Sequence, residues 1–504
     1  MWAAVDTETT GLSVWHGARP FMLQLCDERG KLKVWQWSVN PTTRAVQYDE
    51  SLAEALNVLS GYKTLVFHHA KFDLRMLSAA AGDANISFDL ESLWPKIHDT
   101  MLAAHVMDSL ESHRLNDLAE KYFLVSTDDE KHLKQTVIKA RRIGKRLKWN
   151  LAKTVAADYW LPYTLAEREQ APLRYENEWS TVCETYGVMD VKDRTANLWK
   201  MYRELLSANP QREKCYERER ALLPLVYKME SAGLSLKPTC LIKAMRSRQE
   251  AVRQGQQDLQ KLAGNDFNPR SHQQKGEYLE RVGVCVIRTE KGAIKTDSTT
   301  LTYYRENCND NHRATAFITA CQKFARNQTA LGYLQNYRER AVRESENGRL
   351  VLHPSLNQVG SDERNVRTTR FSSSEPNMQN VAKDKGGEGN INLRAVFGPA
   401  RGYSWFAADY SQLELRILAV VANEQRMLQA FAAGEDIHQV TADACGIHRN
   451  QAKNVNFAIV YGASKAKLQE MSGRPDIGQV FRDAYPGASR WTRETTKAVQ
   501  ENGF

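Results

Sequence analysis

Met1-Trp-Ala-Ala-Val-Asp6-Thr7-Glu8-Thr9-Thr10-Gly11-Leu12 is an apolar run that turns acidic at alternate positions. On a strand, residues two apart share a face, so Asp6 and Glu8 project together. Two acids side by side repel each other unless a cation lies between them. The run is too short for a signal or transit peptide, and a functional Asp6 leaves nothing to cleave upstream of it. From here to about residue 200, short apolar runs (Phe21–Cys26, Lys33–Trp37, Thr64–His68) alternate with helical periods (Ser51–Leu59, Phe72–Ala81, Met101–Met107, Leu115–Tyr122). That alternation predicts an α/β domain.

Two further acids stand in comparable surroundings. In His68-His69-Ala70-Lys71-Phe72-Asp73 an apolar strand runs into a helix and is expected to deliver Asp73 at its end, where α/β sites gather. In Tyr186-Gly-Val-Met-Asp190 the i, i+4 spacing places phenol and carboxylate on one helix face. Oxygen donors suit Mg²⁺ or Mn²⁺, and a pair of such ions can clamp the attacking and leaving oxygens of a phosphodiester. Tyr186 would then orient the water. One Asp-x-Glu alone is common on solvated strand ends; the ordered set is the informative signal.

The 504 residues allow two to four domains. With 42% hydrophobic and 26% charged residues, the composition is that of a globular protein. The longest apolar runs, such as Ile417–Ala422, fall far short of a membrane span. The formal charge is +9, a balance that favours a polyanionic partner. Eight scattered cysteines without a Cys-x-x-Cys pair predict a reducing compartment and no structural zinc. Lys131, Lys134, Lys139, Arg141, Arg142, Lys145, Arg146, Lys148 and Lys153 form a stripe without acids. It reads equally as a phosphate-binding face or a solvated one.

Residues 200 to 345 are long and helical (Glu219–Glu230, Thr239–Leu262, Ala314–Glu344), and Asn347 to Gly389 reads as hairpins and loops. In Phe406-Ala-Ala-Asp409-Tyr-Ser-Gln-Leu-Glu414-Leu-Arg416, an apolar strand is expected to end in Asp409, with Glu414 one turn into the following helix. In Arg449-Asn-Gln-Ala-Lys453-Asn-Val-Asn-Phe457-Ala-Ile-Val-Tyr461 a special residue recurs every four positions. Successive members drift by ~40° and stay within ~120° of one face. The two cations can meet a triphosphate and the two aromatic rings a base and sugar; an amphipathic core helix is the plainer alternative.

The first 200 residues resemble the 3′–5′ proofreading exonucleases with four acids and a tyrosine, found at the front of family A DNA polymerases. His98-Asp99-Thr100 and Leu115-Asn-Asp-Leu-Ala119 match further landmarks. The resemblance implies a ribonuclease H-like α/β exonuclease domain, with metal ligands Asp6, Glu8, Asp73 and Asp190 and with Tyr186 beside them. It gives Asp99 a place behind the ligands or a structural role. His69 stands where the family usually carries Asn, which implies altered packing or substrate contact.

The later half is similar to the first two motifs of the polymerase domain. Thr369-Arg370-Phe-Ser-Ser-Ser-Glu-Pro-Asn377-Met-Gln379-Asn380 and Asp436-Ile-His438 agree with this. The resemblance implies a mostly helical thumb and an incomplete α+β palm with helical fingers. Its expected bounds are 1–200 exonuclease, 201–350 palm entry and thumb, 351–430 palm, and 431–504 fingers. It further implies Asp409 as a metal ligand, Glu414 as the gate against ribose 2′-hydroxyls, and His438, Arg449, Lys453, Phe457 and Tyr461 as the nucleotide site. Arg370, Asn377, Gln379 and Asn380 would track primer and template. Phe457, where some relatives have Tyr, implies discrimination against chain terminators.

The expected activity is DNA polymerisation with proofreading, using two Mg²⁺ or Mn²⁺ ions per active site and dNTP substrates. Primer-template and single-stranded 3′ ends are the expected DNA partners, in a bacterial or phage-infected cytoplasm. The family's second polymerase acid, in a His-Asp-Glu turn, has no counterpart after Asp409. The chain therefore reads as the N-terminal portion of a split or truncated enzyme, needing a C-terminal fragment and leaving an apolar face exposed. The contrasting reading is an exonuclease whose polymerase half is a non-catalytic primer-template scaffold, although Asp409, Lys453 and Tyr461 are intact.

Overall fold

The computed structural model describes residues 1–167, 182–308, 311–344, 348–360, 370–382 and 392–502. They divide into two compact units, Met1–Ser404 and Trp405–Phe504. The bounds expected at 200, 350 and 430 do not coincide with that division.

In the first unit a five-stranded sheet holds β1 (Trp2–Thr9), β2 (Pro20–Asp27), β3 (Leu32–Gln36), β4 (Thr64–Phe67) and β5 (Ile97–Asp99), in the order β3-β2-β1-β4-β5. β1, β2 and β3 run antiparallel in succession; β4 is parallel to β1 and β5 to β4. Helices α1 (Ser51–Ser60) and α2 (Ala70–Asp83) form the crossovers, followed by α3 (Thr100–Met107), α4 (Leu115–Phe123) and α5 (Asp128–Arg146).

One core gathers Val5, Leu25, Leu65, Leu74, Leu77 and Ala103; another places Phe21, Met22, Leu133, Val137 and Trp160 together. Burial of one such Leu or Phe contributes about 1.5–3 kcal/mol. Asp99 explains why two helices begin where they do. Its Oδ1 accepts from the Met101 and Leu102 amides at the start of α3, and its Oδ2 from Ala70 at the start of α2. One buried carboxylate thus satisfies orphan donors of two helix N-termini.

Next come α6 (Val182–Met189), a π-helical turn at Asp190–Thr195, and α7 (Ala196–Ser207). α8 (Pro210–Ala232) starts at Asn209, whose side chain accepts from the Gln211 and Arg212 amides. Gly233 follows at φ 59°, and a Cβ there would lie 2.6 Å from Val351 Cγ1. Strands β6 (Leu234–Leu236), β7 (Val342–Arg343) and β8 (Leu350–Leu352) form a sheet in the order β6-β8-β7. The long helices α9 (Pro238–Ala263) and α12 (His312–Arg340) approach closely at Gly255 and Phe324, with α10 (His272–Arg281) and α11 (Ser298–Asn307) beside them. α12 ends at Arg340 and gives way to β7, short of the helical end expected at Glu344. β9 (Ser355–Asn357) pairs with β10 (Ser372–Ser374).

A buried carboxylate joins the sheet domain to these later elements. Glu230 on α8 accepts from Lys71 Nζ at 2.6 Å and Arg75 Nη2 at 2.7 Å, both on α2, and from the Leu356 amide of β9 at 2.7 Å. Lys71 also donates to the Leu356 carbonyl.

In the second unit, α13 (Leu413–Val421), α14 (Gln425–Ala432), α15 (Ile437–Cys445), α16 (Arg449–Val460), α17 (Lys465–Ser472), α18 (Ile477–Ala484) and α19 (Pro486–Asn502) pack around Leu415, Met427, Ile437, Val455, Phe481 and Tyr485. The strand expected over Phe406–Ala408 is absent. Residues 403–410 are irregular and exposed, with Phe406 92% accessible. No strand among the described residues pairs with this run, and a lone strand has neither ladder partners nor a face to bury. On α13, Ile417, Val420 and Val421 are also exposed. No helix among the described residues is long and apolar enough to cross a membrane, and the eight cysteines are free.

Candidate active site

β1 holds Asp6 and Glu8 on one face, and the residue after α6 is Asp190. One carboxylate oxygen from each of these three lies within 4.8 Å of the others. The strand supplies two donors because its side chains alternate. The third arrives where the α-helix passes into the π-helical turn, a local widening that is frequent at functional sites. Asp190 therefore opens that turn instead of closing a uniform α-helical face with Tyr186.

Asp73 lies in the first turn of α2, not at a strand end, because Asp99 starts the helix at Ala70. Its Oδ1 accepts from the Thr7 hydroxyl at 2.6 Å. It borders the acid trio without joining that group.

Burial pushes the carboxyls of Asp6 and Glu8 well above the usual range, and repulsion from Asp73 and Asp190 adds to it. Asp73 is likewise raised by burial, against the hydrogen bond from Thr7. Asp190 is raised by burial while the Arg194 guanidinium opposes the shift. The Tyr186 phenol is raised by burial and then by Asp190, Glu8 and Asp6, so it keeps its proton. A divalent cation offsets this mutual repulsion, and the all-oxygen donor set fits Mg²⁺ or Mn²⁺.

Arg194 and Gln24, which the sequence does not single out, and His69, which it does, complete the surroundings. Arg194, fully buried, donates to Asp190 Oδ1 at 2.5 Å and to Asp129 Oδ1 at 2.6 Å, with its guanidinium 5.7 Å from the Tyr186 ring centroid. Its i+4 spacing from Asp190 is the signal that could have found it. Gln24 pairs with Asp6 across β1 and β2, is fully buried, and reaches the surface of α6 that Gly187 leaves open. His69 takes a left-handed conformation at φ 78° ahead of α2, a region Asn tolerates better than most residues. Its ring stacks on Phe72.

The residues expected to handle nucleotide fall on α15 and α16. Arg449 and Lys453 are exposed and Phe457 is half-buried on α16, and Tyr461 sits one residue past its end, 63% accessible. Arg449 grips Asp436, the N-cap of α15, through Nε at 2.6 Å; Lys453 makes no ion pair among the described residues. His438 is buried, with Asn456 Nδ2 3.1 Å from its Nδ1 and the Phe457 ring 5.8 Å away. Asn456 also donates to Thr441, which hydrogen-bonds Tyr485. Glu414 lies in the first turn of α13, and Asp409 in the irregular exposed run before it.

In the first unit, Asn377 accepts from the Gln379 amide, and Gln379 donates to the Phe371 carbonyl, so both shape the turn after β10. Arg370 and Asn380 are exposed. Thr369, the first residue of that landmark, lies outside the described residues.

Comparison with known proteins agrees with this arrangement. The family described as 3′-5′ exonuclease matches residues 3–149, and DNA polymerase family A matches residues 239–504. DNA polymerase I of Caldicellulosiruptor bescii is 31% identical over 61% of this chain and 36% of its own length. DNA polymerase of Mycobacterium phage L5 is 25% identical over 99% of this chain and 76% of its own. The chain spans about a third to under half of the DNA polymerase I relatives it matches. A solved structure of the POL domain of Pol1 from M. smegmatis, in complex with DNA primer-template and dNTP, shares the fold. Its TM-score is 0.65 at 18% identity, over 99% of this chain and 75% of that one. With a match extending over more than half its length, the chain belongs to DNA polymerase family A.

Proposed function

We propose that this chain trims DNA from the 3′ end at the Asp6–Glu8–Asp190 centre and takes part in template-directed DNA polymerisation through its later half. The observation that carries the reading is the convergence of three buried or half-buried carboxylates in a domain of the exonuclease family. Asp6, Glu8 and Asp190, with Asp73 as a fourth donor, would hold divalent cations, whose charge stabilises the phosphodiester's attacking and leaving oxygens. Tyr186, kept protonated by burial and by its acidic neighbours, orients the attacking water. Arg194 fixes the position of Asp190. Digestion of a single strand labelled at its 5′ end tests this reading: shortening from the 3′ end in magnesium, abolished by Asp6→Ala, is the expected result. Equal digestion by the variant overturns it.

For polymerisation, Asp409 is the metal-binding acid, Glu414 excludes ribose, and Arg449 and Lys453 receive the triphosphate. Phe457, Tyr461 and His438 border the base and sugar, while Arg370, Asn377, Gln379 and Asn380 follow primer and template. The functional regions are 1–200, 201–350, 351–430 and 431–504. Incorporation of a labelled dNTP on a primed template in magnesium, lost on Asp409→Ala and on Lys453→Ala, is the expected result. Equal incorporation by the variants overturns this part of the reading.

A further inference from the structure

The chain's whole excess of positive charge sits in one segment. Residues 131–153 carry nine Lys and Arg and no acid; removing those nine from the total leaves 60 basic against 60 acidic residues. The rest of the protein is formally neutral.

The segment is mostly α5, and its inner face is fixed by packing. Leu133, Thr136, Val137, Ala140 and Gly144 are buried, so the opposite face looks outward. Lys131, Lys134, Lys139, Arg142, Lys145 and Arg146 all fall on that outer face, within a sector of about 140° at 100° per residue. Three of the nine cations are already engaged: Lys131 with Asp128, Lys134 with Glu130, and Arg141 with buried Asp158. Lys139, Arg142, Lys145, Arg146, Lys148 and Lys153 are exposed and form no ion pair among the described residues. An ordinary solvated helix face alternates its charges; this one does not.

The helix is also tied to the acid centre. Asp129, in its first turn, receives the second arm of the guanidinium that holds Asp190. The helix thus starts beside the site, with Asp129 on its inner side, and its cationic outer face runs about 25 Å along it at 1.5 Å per residue. Glu8, Asp73 and Asp190 are buried, so an unpaired end reaches them and a paired stem does not.

We propose that the outer face of α5, continued by Lys148 and Lys153, is the track for the phosphate backbone of the single strand whose 3′ end enters the exonuclease centre. This rests on the exonuclease reading of that centre, and the test separates the two. In the full chain, Lys139, Arg142, Lys145 and Arg146 are replaced by Gln. Binding of a fluorescent thymidine homopolymer is followed by anisotropy in EDTA across a potassium chloride series, where no cleavage occurs. The plot of log K against log salt should become shallower by about 0.7 for each phosphate that is no longer neutralised, and so by close to 3 in all. Lys145→Gln alone should change the slope by about 0.7, which guards against misfolding of the fourfold variant. With magnesium, KM for the single strand should rise while kcat stays unchanged.

A control variant replaces Arg212, Lys214, Arg218 and Lys228 on α8, equal in charge, and should leave the slope as it was. An unchanged slope in the α5 variants, or the same change in the control, overturns the proposal. A larger loss for duplex than for single strand overturns the choice of ligand. Loss of digestion on Asp6→Ala alongside unchanged α5 binding would leave the exonuclease standing and the track refuted.

Discussion

Arg194 binds the carboxylate of Asp190 at 2.5 Å from a position with no solvent exposure. Its second arm holds Asp129 on α5. A single cation thus stabilises two acids in a dry setting, one of them a member of the trio. Breaking such a buried arrangement by removing one partner typically costs about 3–5 kcal/mol.

Arg194→Met should therefore lower stability by roughly that amount and reduce exonuclease activity. Arg194→Lys should recover part of the stability, since an ammonium keeps the charge but lacks the planar fork that reaches both acids. Urea unfolding of the three proteins measures the order; equal midpoints for wild type and Met would refute it.

Gly187 lies between Tyr186 and Asp190, and a Cβ there would stand 2.1 Å from Gln24 Nε2. Gln24 is fully buried. Gly187→Ala should cut exonuclease activity by shifting α6 or Gln24. Adding Gln24→Ala should restore it, because the helix then keeps alanine's propensity advantage of ~1 kcal/mol over glycine. A double variant no better than the single would show that Gly187 matters for another reason.

Burial lowers His68 and His105 to about 4 and His98 to about 3. These rings stay neutral in the folded chain at pH values where the unfolded chain protonates them. Between pH 6.5 and about 4 the unfolded state binds more protons, so stability falls as pH falls through that window. The buried carboxyls, with raised values, act with the opposite sign, and magnesium throughout the titration suppresses their contribution. Thermal midpoints should drop below about pH 6.5, and the drop should be shallower in His105→Phe. Identical profiles would refute the assignment.

Arg449 and Lys453 occupy one face of α16, but only Arg449 is held by an acid, Asp436. A triphosphate must displace that pairing to use Arg449, whereas Lys453 is ready. Lys453→Ala should weaken dNTP binding more than Arg449→Ala does, by several-fold, as read from competition against a fluorescent nucleotide. The reverse order would show that the Asp436 pairing costs nothing to break.

What can be read from the sequence depends on how local the cause is. The alternation in Val5–Glu8 and the apolar runs of β2 and β4 mark the sheet, because period two and burial are written in neighbouring residues. The stripe on α16 is equally plain, although Tyr461 lies beyond the helix end. Asp73 reads as a strand-end residue because nothing local reveals that Asp99, distant in the chain, starts the helix at Ala70. Phe406–Ala408 has strand composition, yet a strand is made by its neighbours. Gln24 carries no local mark, since its role depends on which elements meet across the sheet, and Arg194 is marked only by its i+4 spacing from Asp190. The acids themselves are legible, and what holds them in position is not.

Glu230 has a practical consequence for anyone wishing to excise the five-stranded sheet domain as a stand-alone module. A cut in the gap before Pro210 would strand Lys71 and Arg75, an ammonium and a guanidinium now largely sealed from water, without their shared anion. Those residues flank Asp73 on the same helix, so the injury would land beside the chemistry. A separable sheet domain would need α8 carried along as far as Gly233, or Lys71 and Arg75 redesigned as apolar residues.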